Sequence, residues 1–429
     1  MTSTLIKAPP LNAPTLHQLP NGLTIVAEQL KVEAVNLSIW VSVGSAVESD
    51  SINGMAHFLE HMVFKGTPKL KSGEFERLVE ERGAHTNAAT SQDYTHYYIT
   101  TAPKDFADLA PLQLDVVLNP SIPDEAFESE RLVVLEEIRR SEDNPRRRTY
   151  QRTQEVAFNQ LPYRRSVLGP VEALAQLTPH SMRDFHATWY QPQSITAVAV
   201  GNLPVEQLIE IVASGFKTNV QNKSLGGINY TTKPDREQAF GEIVRREYVD
   251  ESLQQARLVM VWRVPGLTEL PQTYALDILA AILGQGRMSR LFRDLRENRQ
   301  LVSHIGASNM TQQLQGLFYI GAHLPVENLA EVEAALAQHI RTIGTEPVTE
   351  AEIERVRTQV ANRFIFGNET PSDRAGIYGY YQSMVGDLAP ALNYPAHIQA
   401  LDALDLQAAA ARCLSPDAYG VVVIKPGGS

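Results

Sequence analysis

His57-Phe58-Leu59-Glu60-His61 is the stretch of this 429-residue chain whose residue types and spacing suit chemistry best. On a helix, residues i and i+4 lie one above the other and i+3 sits beside them. A helix here therefore offers two imidazoles to one metal ion, with the Glu60 carboxylate close by. Zinc suits two imidazoles plus a carboxylate, and a fourth position left open makes such a site catalytic rather than structural. Water bound there loses a proton near neutral pH, and a nearby carboxylate can accept it. Two histidines four apart also occur by chance on many helices, solvated or packed. A glutamate three after the first histidine, followed at once by the second, lifts the metal reading above that background.

A third ligand is needed. The amphipathic run Glu130-Arg131-Leu132-Val133-Val134-Leu135-Glu136-Glu137-Ile138 supplies several carboxylates. Periodicity does not choose among Glu130, Glu136 and Glu137, and most glutamates on such helices are simply solvated. The single cysteine, Cys413, excludes both an intrachain disulfide framework and a cysteine-rich metal site. Any metal must be held by nitrogen and oxygen.

The elements that position these residues follow a repeated plan. Ser38 to Val43 alternates apolar and polar residues, which predicts a half-buried strand. Leu258 to Trp262 is its counterpart, Trp262 lying 222 positions after Trp40 (262 − 40). The helical stretches beginning at Pro123 and Val348 form a second pair, and Ile195–Val200 with Gly420–Ile424 a third. Three pairs at nearly one offset point to a duplication. Helices are predicted over Asp105–Val117, Asp124–Arg140, Thr273–Leu283, Thr349–Phe366 and Ser372–Met384. Strands first, long helices next and a closing strand in each half describe an α+β fold. The expected architecture is two homologous domains, 1–220 carrying the metal site and 221–429 lacking metal ligands, each a mainly antiparallel sheet packed with helices. Thr218 to Asp235, rich in Asn, Gly, Thr and Lys, reads as the connection between them.

Composition sets outer limits. Hydrophobic residues at 43% and charged residues at 20% describe a globular chain too long for one small core. A net charge of −11 opposes nonspecific nucleic-acid binding. No apolar run reaches the roughly 18–20 residues of a membrane helix. Met1 to Pro20 has neither an apolar core nor an arginine-rich leader, so the expected compartment is the cytoplasm.

The chain resembles the pitrilysin family of metallopeptidases, in particular its short-chain branch related to mitochondrial processing peptidase and bacterial processing-protease-like proteins. The matching residues are His57 to Thr67, Asn87-Ala88-Ala89-Thr90 with Tyr94, and Glu136-Glu137-Ile138. Trp189-Tyr190, Gly201-Asn202, Ser289-Arg290-Leu291-Phe292 and Leu295-Arg296-Glu297 follow in the family's order. The resemblance implies a zinc-dependent endopeptidase, with one zinc ion per chain on His57, His61 and Glu137. It implies that Glu60 is the general base and that Glu130 supports the site from behind the ligands. It implies further that Asn87, Ala88 and Ala89 lie on an exposed edge strand that pairs with substrate, a sequence-tolerant way to hold an extended peptide. Unfolded peptides entering the closed chamber of a dimer are the implied substrates. The other class of function is a non-catalytic peptide-binding or assembly subunit with a vestigial or structural metal site, which an intact Glu60 opposes.

The second half departs from the family in one respect. Catalytic relatives carry an arginine and, seven later, a tyrosine that meet substrate. Arg296 is present, but Ser303 stands where the tyrosine belongs. The expectation is a heterodimer whose metal-free homologous partner supplies arginine and tyrosine, against a homodimer working with Arg296 and a substitute such as His304. Leu279 to Leu283 and Gly284-Gln285-Gly286-Arg287 occupy the position of the metal helix, so this half holds no second site. The glycines read as a helix-ending turn, with close approach to a peptide as the rival reading.

Overall fold

The computed structural model describes residues 12–219 and 235–427. Nearly all of the stretch read as a connection, and residues 1–11 of the N-terminal segment, lie outside the described residues.

Six strands, β1 (Thr15–Gln18), β2 (Thr24–Gln29), β3 (Val35–Val41), β4 (His85–Thr90), β5 (Thr95–Thr101) and β6 (Ile195–Gly201), form one sheet in the order β1-β2-β6-β3-β5-β4. Five more, β7 (Val244–Asp250), β8 (Ala256–Pro265), β9 (His304–Met310), β10 (Gln315–Leu324) and β11 (Gly420–Pro426), form a second in the order β7-β11-β8-β10-β9. Apart from the added β1 the two orders are the same. In each sheet one pair is parallel, β2 with β6 and β7 with β11, and the rest are antiparallel. Register repeats as well as order. Trp40 lies opposite His96 and Trp262 opposite Phe318, so both partners are displaced by 222 residues (262 − 40, 318 − 96).

The predicted helices are present as α2 (Phe106–Leu118), α3 (Asp124–Asp143), α6 (Tyr274–Gly284), α8 (Glu350–Phe366) and α9 (Pro371–Val385), with α1 (Met55–Met62) carrying the histidine motif. Further helices include α4 (Pro145–Ala157), α5 (Val205–Asn219), α7 (Leu329–Thr345) and α10 (Ala403–Cys413).

The chain divides into two compact units that exchange segments across the 220/221 boundary expected from the repeat. One comprises Met1–Val133, Glu172–Asn229 and Ala361–Asn393; the other comprises Val134–Val171, Tyr230–Val360 and Tyr394–Ser429. In the first, α9 covers β3 and β6, packing Ala375 and Tyr378 on Trp40, Val198 and Val200. A Cβ at Gly379 would run into the Trp40 indole, so only glycine lets the helix lie this close. A buried ion pair fixes the helix, Arg374 Nη1 to Glu28 Oε1 at 2.6 Å, and the Tyr378 hydroxyl donates to the same carboxylate. In the second unit α4 covers β8 and β11, with Val156 against Val259, Val422 and Ile424. The two covering helices are themselves a repeat pair, starting at Pro145 and Pro371. This cover also corrects the reading of β3. Alternation predicts one wet face, whereas every residue of Val35–Val41 is buried, because α9 seals the face on which Trp40 stands.

Candidate metal centre

Helix α1 is short and begins without a side-chain cap of its own; its leading residue, Gly54, has φ of 100°. The buried Glu48 carboxylate does the capping instead, accepting Gly54 N at 2.9 Å, Ala56 N at 2.7 Å and Asn53 Nδ2 at 2.8 Å. A carboxylate at a helix N-terminus satisfies free N–H groups and the positive end of the dipole. Met55, Ala56, Phe58, Leu59 and Met62 are buried, and Phe58 packs on Phe127 of α3 with ring centres 4.5 Å apart. That contact sets α1 beside the glutamate-bearing helix.

His57, His61 and Glu137 come together, one ligand atom from each lying within 4.8 Å of the others. His57 is buried and the other two are half-buried. Two nitrogens and one oxygen converging in this way fit zinc, whose tetrahedral preference calls for one ligand more. The three glutamates that periodicity left open now separate. Glu130 and Glu137 are seven apart, two turns of helix, and face the same way. Glu136 is turned aside and pairs with Arg139 and Arg140.

Glu130 sits behind His61. Its Oε1 is 2.9 Å from His61 Nδ1 and its Oε2 is 2.6 Å from Lys65 Nζ. A hydrogen bond at Nδ1 fixes the ring tautomer and leaves Nε2 as the atom that could meet a metal. Burial alone would raise the Glu130 pKa, but the hydrogen bonds from Lys65 and His61 outweigh it and hold the carboxyl ionised below its usual range.

Glu60 projects from α1 beside the ligands. Its Oε2 accepts the Thr90 hydroxyl at 2.6 Å, which ties the carboxylate to the end of β4. The hydroxyls of Tyr97 and Tyr190 are paired at 2.8 Å. Burial first, with the Glu60 charge adding to it, pushes both phenols well above their ordinary pKa; Tyr190 raises Tyr97 further, whereas the hydrogen bond with Tyr97 works against the rise at Tyr190. They are neutral donors at any working pH.

β4 is the outermost strand of its sheet, with β5 on one side only. Asn87 and Ala89 are exposed and Ala88 half-buried. The Thr90 side of the strand looks toward α1. The opposite side continues into a row of rings, His85 on Tyr98, Tyr98 on His96 and His96 on Tyr94, with centres 5.8–6.0 Å apart. Burial lowers the His96 pKa to about 4, so this ring is uncharged.

In the other unit Arg296 is exposed on the π-helical turn Phe292–Asn298, its guanidinium 4.7 Å from the Phe292 ring centre. Ser303 is exposed and donates to Gln255 Oε1 at 2.5 Å. Among the described residues the only group of three or more His, Cys, Asp or Glu side chains able to hold a metal is the one around His57.

Residues 24–171 match the family described as insulinase (peptidase family M16), and residues 176–360 match the peptidase M16 inactive domain. This chain belongs to the pitrilysin-type M16 family. Relatives of the M16 chain include zinc protease PqqE of Helicobacter pylori, 28% identical over 369 residues, 85% of this chain and 82% of that one. An uncharacterized zinc protease of Mycobacterium tuberculosis is 28% identical over 427 residues, 97% of this chain and 94% of the relative. A protease from Helicobacter pylori has a similar crystal structure, with TM-score 0.88 at 26% identity over 96% of this chain and 99% of its own. A peptidase M16 inactive domain from Pseudomonas fluorescens shares the fold at TM-score 0.85 and 18% identity, covering 97% and 99% of the two chains.

Sequence reasoning named the three side chains that converge but missed Glu48, Lys65 and Thr90 as the residues around them. For Glu48 a signal was there: an acidic residue just ahead of a helix that lacks its own capping side chain.

Proposed function

We propose that this M16 chain is a zinc-dependent endopeptidase acting on unfolded peptides, with His57, His61 and Glu137 holding one zinc ion and Glu60 serving as general base. The observation that carries this is the convergence of the three ligand atoms with Glu60 on the same helix, beside an open sheet edge. Bound zinc would polarise the scissile carbonyl and lower the pKa of a coordinated water toward 7. The chain's own groups do the rest. An extended peptide adds to β4 through main-chain hydrogen bonds along Asn87, Ala88 and Ala89, which fixes its register without demanding a sequence. Glu60 takes the proton from the attacking water and returns it to the departing amine. Thr90 holds one Glu60 oxygen and so orients the carboxylate. Glu130 keeps the His61 ring turned toward the ion.

Arg296 and Ser303 bear on the assembly. The proposed working form is a dimer in which a metal-free homologous partner supplies the arginine and tyrosine that Ser303 leaves incomplete. The deciding experiment is hydrolysis of a quenched fluorescent peptide library by the purified chain, with zinc measured on the same sample. Activity with about one zinc per chain, lost on chelation, supports a self-sufficient peptidase and removes the partner. Zinc without turnover keeps the ligand assignment and sends the search to the partner. No stoichiometric zinc would overturn the reading.

A further inference from the structure

Arg257, His323 and His304 stand side by side on three neighbouring strands. Arg257 of β8 is the register partner of His323 of β10, and His323 is the partner of His304 of β9. Residues directly opposite in neighbouring strands point to the same face, roughly 5 Å apart. The two imidazole centres are 5.1 Å apart. Helix α4 lies on this face and opens with three consecutive arginines, Arg146, Arg147 and Arg148, and no acid in its first turn. Arginines there oppose the helix dipole instead of complementing it.

The charges nearby do not cancel. Asp250 is taken up by Arg148, at 2.8 Å from Nε and 2.5 Å from Nη2, and by Ser252. The half-buried Arg257 donates to the Thr149 hydroxyl at 3.2 Å. Among the described residues no carboxylate forms an ion pair with Arg257 or Arg146. Burial lowers the Arg257 pKa, the Arg146 and Arg148 charges lower it further, and Asp250 opposes them without reversing the direction. His323 is held to about 4 by burial, then by Arg257, His304 and Arg146. In a chain with 49 acidic residues against 38 basic ones, Asp250 is the one carboxylate that acts on Arg257 among the described residues, and its hydrogen bonds go to Arg148 and Ser252.

The fold does not require the arrangement. At the same register in the other sheet, 222 residues earlier, Val35 and Thr101 take the places of Arg257 and His323, and the helix equivalent to α4 begins Pro371-Ser372-Asp373. Crowded cations that outnumber their counterions cost stability unless a further anion joins them. We propose that the Arg257–His323–His304 row, with Arg146 at the head of α4, is a binding site for an oxyanion, either the carboxylate at the end of a peptide or a free phosphate. The guanidinium offers a planar fork to two oxygens, and each imidazole offers an N–H.

The test follows the imidazole NMR signals of His304 and His323 in the full chain, assigned through His304→Gln and His323→Gln. Sodium phosphate is titrated first, then a short peptide with a free C-terminal carboxylate, then the same peptide as its amide. The expected result is a saturable shift of both signals, with a Kd of about 1 mM or tighter, and a rise of the His323 pKa by about one unit or more. Arg257→Gln should abolish the shift. The exposed Arg146→Gln, which threatens no packing, should weaken binding several-fold. Response to phosphate alone assigns a small inorganic anion; response to the free carboxylate but not the amide assigns a chain end. No saturable response to either anion, or an unchanged response in both arginine variants, would overturn the site. None of these readouts depends on peptidase activity.

Discussion

Helices α1 and α6 occupy the same station in their two sheets, each packed beside the edge strand, β4 in one case and β9 in the other. At the 222-residue offset Leu279, Ile282 and Leu283 take the places of His57, Glu60 and His61, and all three are fully buried. On the helices that follow, the offset of 226 sets Val356 at the place of Glu130 and Arg363 at that of Glu137. Gly284 closes α6 so tightly on the backbone of Ala307 that a Cβ would collide with it. Gly286, with φ of +81°, has open space around it and makes the turn. The glycine pair thus serves helix packing and a plain helix end. The frame repeats with an offset that shifts by only four residues, from 222 to 226, while the side chains at the matching places differ in chemistry. Where one copy has His57, Glu60 and His61, the other packs hydrocarbon, each buried leucine contributing about 1.5–3 kcal/mol to its core, and an arginine replaces Glu137.

The largest effect should come from making the first copy like the second. His57→Leu with His61→Leu is expected to abolish zinc binding and peptide hydrolysis together while the far-ultraviolet circular dichroism is kept. Stoichiometric zinc in that variant, measured by plasma emission, would break the contrast between the copies. Next in size, Glu60→Gln should lower kcat about 10²–10⁴-fold with zinc retained. A variant that hydrolyses the same peptides at the wild-type rate would remove Glu60 from the base role. Glu130→Gln is a milder change, expected to weaken zinc affinity about 10–100-fold with turnover surviving at saturating metal. Competition with a chromophoric chelator reads this directly, and unchanged affinity would reduce Glu130 to a partner of Lys65.

The smallest effect tests what the second copy gained. Glu352, at the head of α8, is held to about 2 by its two hydrogen bonds from Arg290 and by the Thr349 hydroxyl and N–H. A folded pKa below the unfolded value of 4.5 means that the clamp's contribution is complete above pH 4.5 and is lost as pH falls toward 2. Glu352→Gln should therefore cost about 1 kcal/mol at pH 6, after allowance for solvent screening, and nearly nothing at pH 2.5. Urea midpoints of both proteins at the two pH values settle it; an equal gap at both would exclude the ion pair as the cause.

Much of this was legible in the residues because the decisive signals are local. The i, i+3, i+4 spacing of His57, Glu60 and His61 needs only a helix, and α1 is that helix. Asp124–Arg140 and Thr349–Phe366 were readable from apolar periodicity to within three residues at either end. Periodicity does not, however, say which sheet a helix will cover. That is why the predicted Ser372–Met384 helix, here α9, gave no sign of which sheet it would cover, while α4 is not among the predicted helices at all. The choice of Glu137 over Glu136 turned on one residue's rotation around α3, which depends on Phe58 meeting Phe127. Arg257, His323 and His304 lie up to 66 residues apart in the chain (323 − 257), and only strand register brings them into line.

The exchange of α4 and α9 also sets a timetable for synthesis. The sheet that carries α1 has all its strands once Gly201 is made, yet the helix that seals Trp40 ends at Val385 and its unit continues to Asn393. At translation rates of about 5–20 residues per second, β3 waits roughly 10–40 s with one apolar face uncovered. During that interval the half bearing His57 and His61 exposes apolar surface that favours aggregation. A ribosome that stalls anywhere between the two helices releases a fragment in which neither unit is whole.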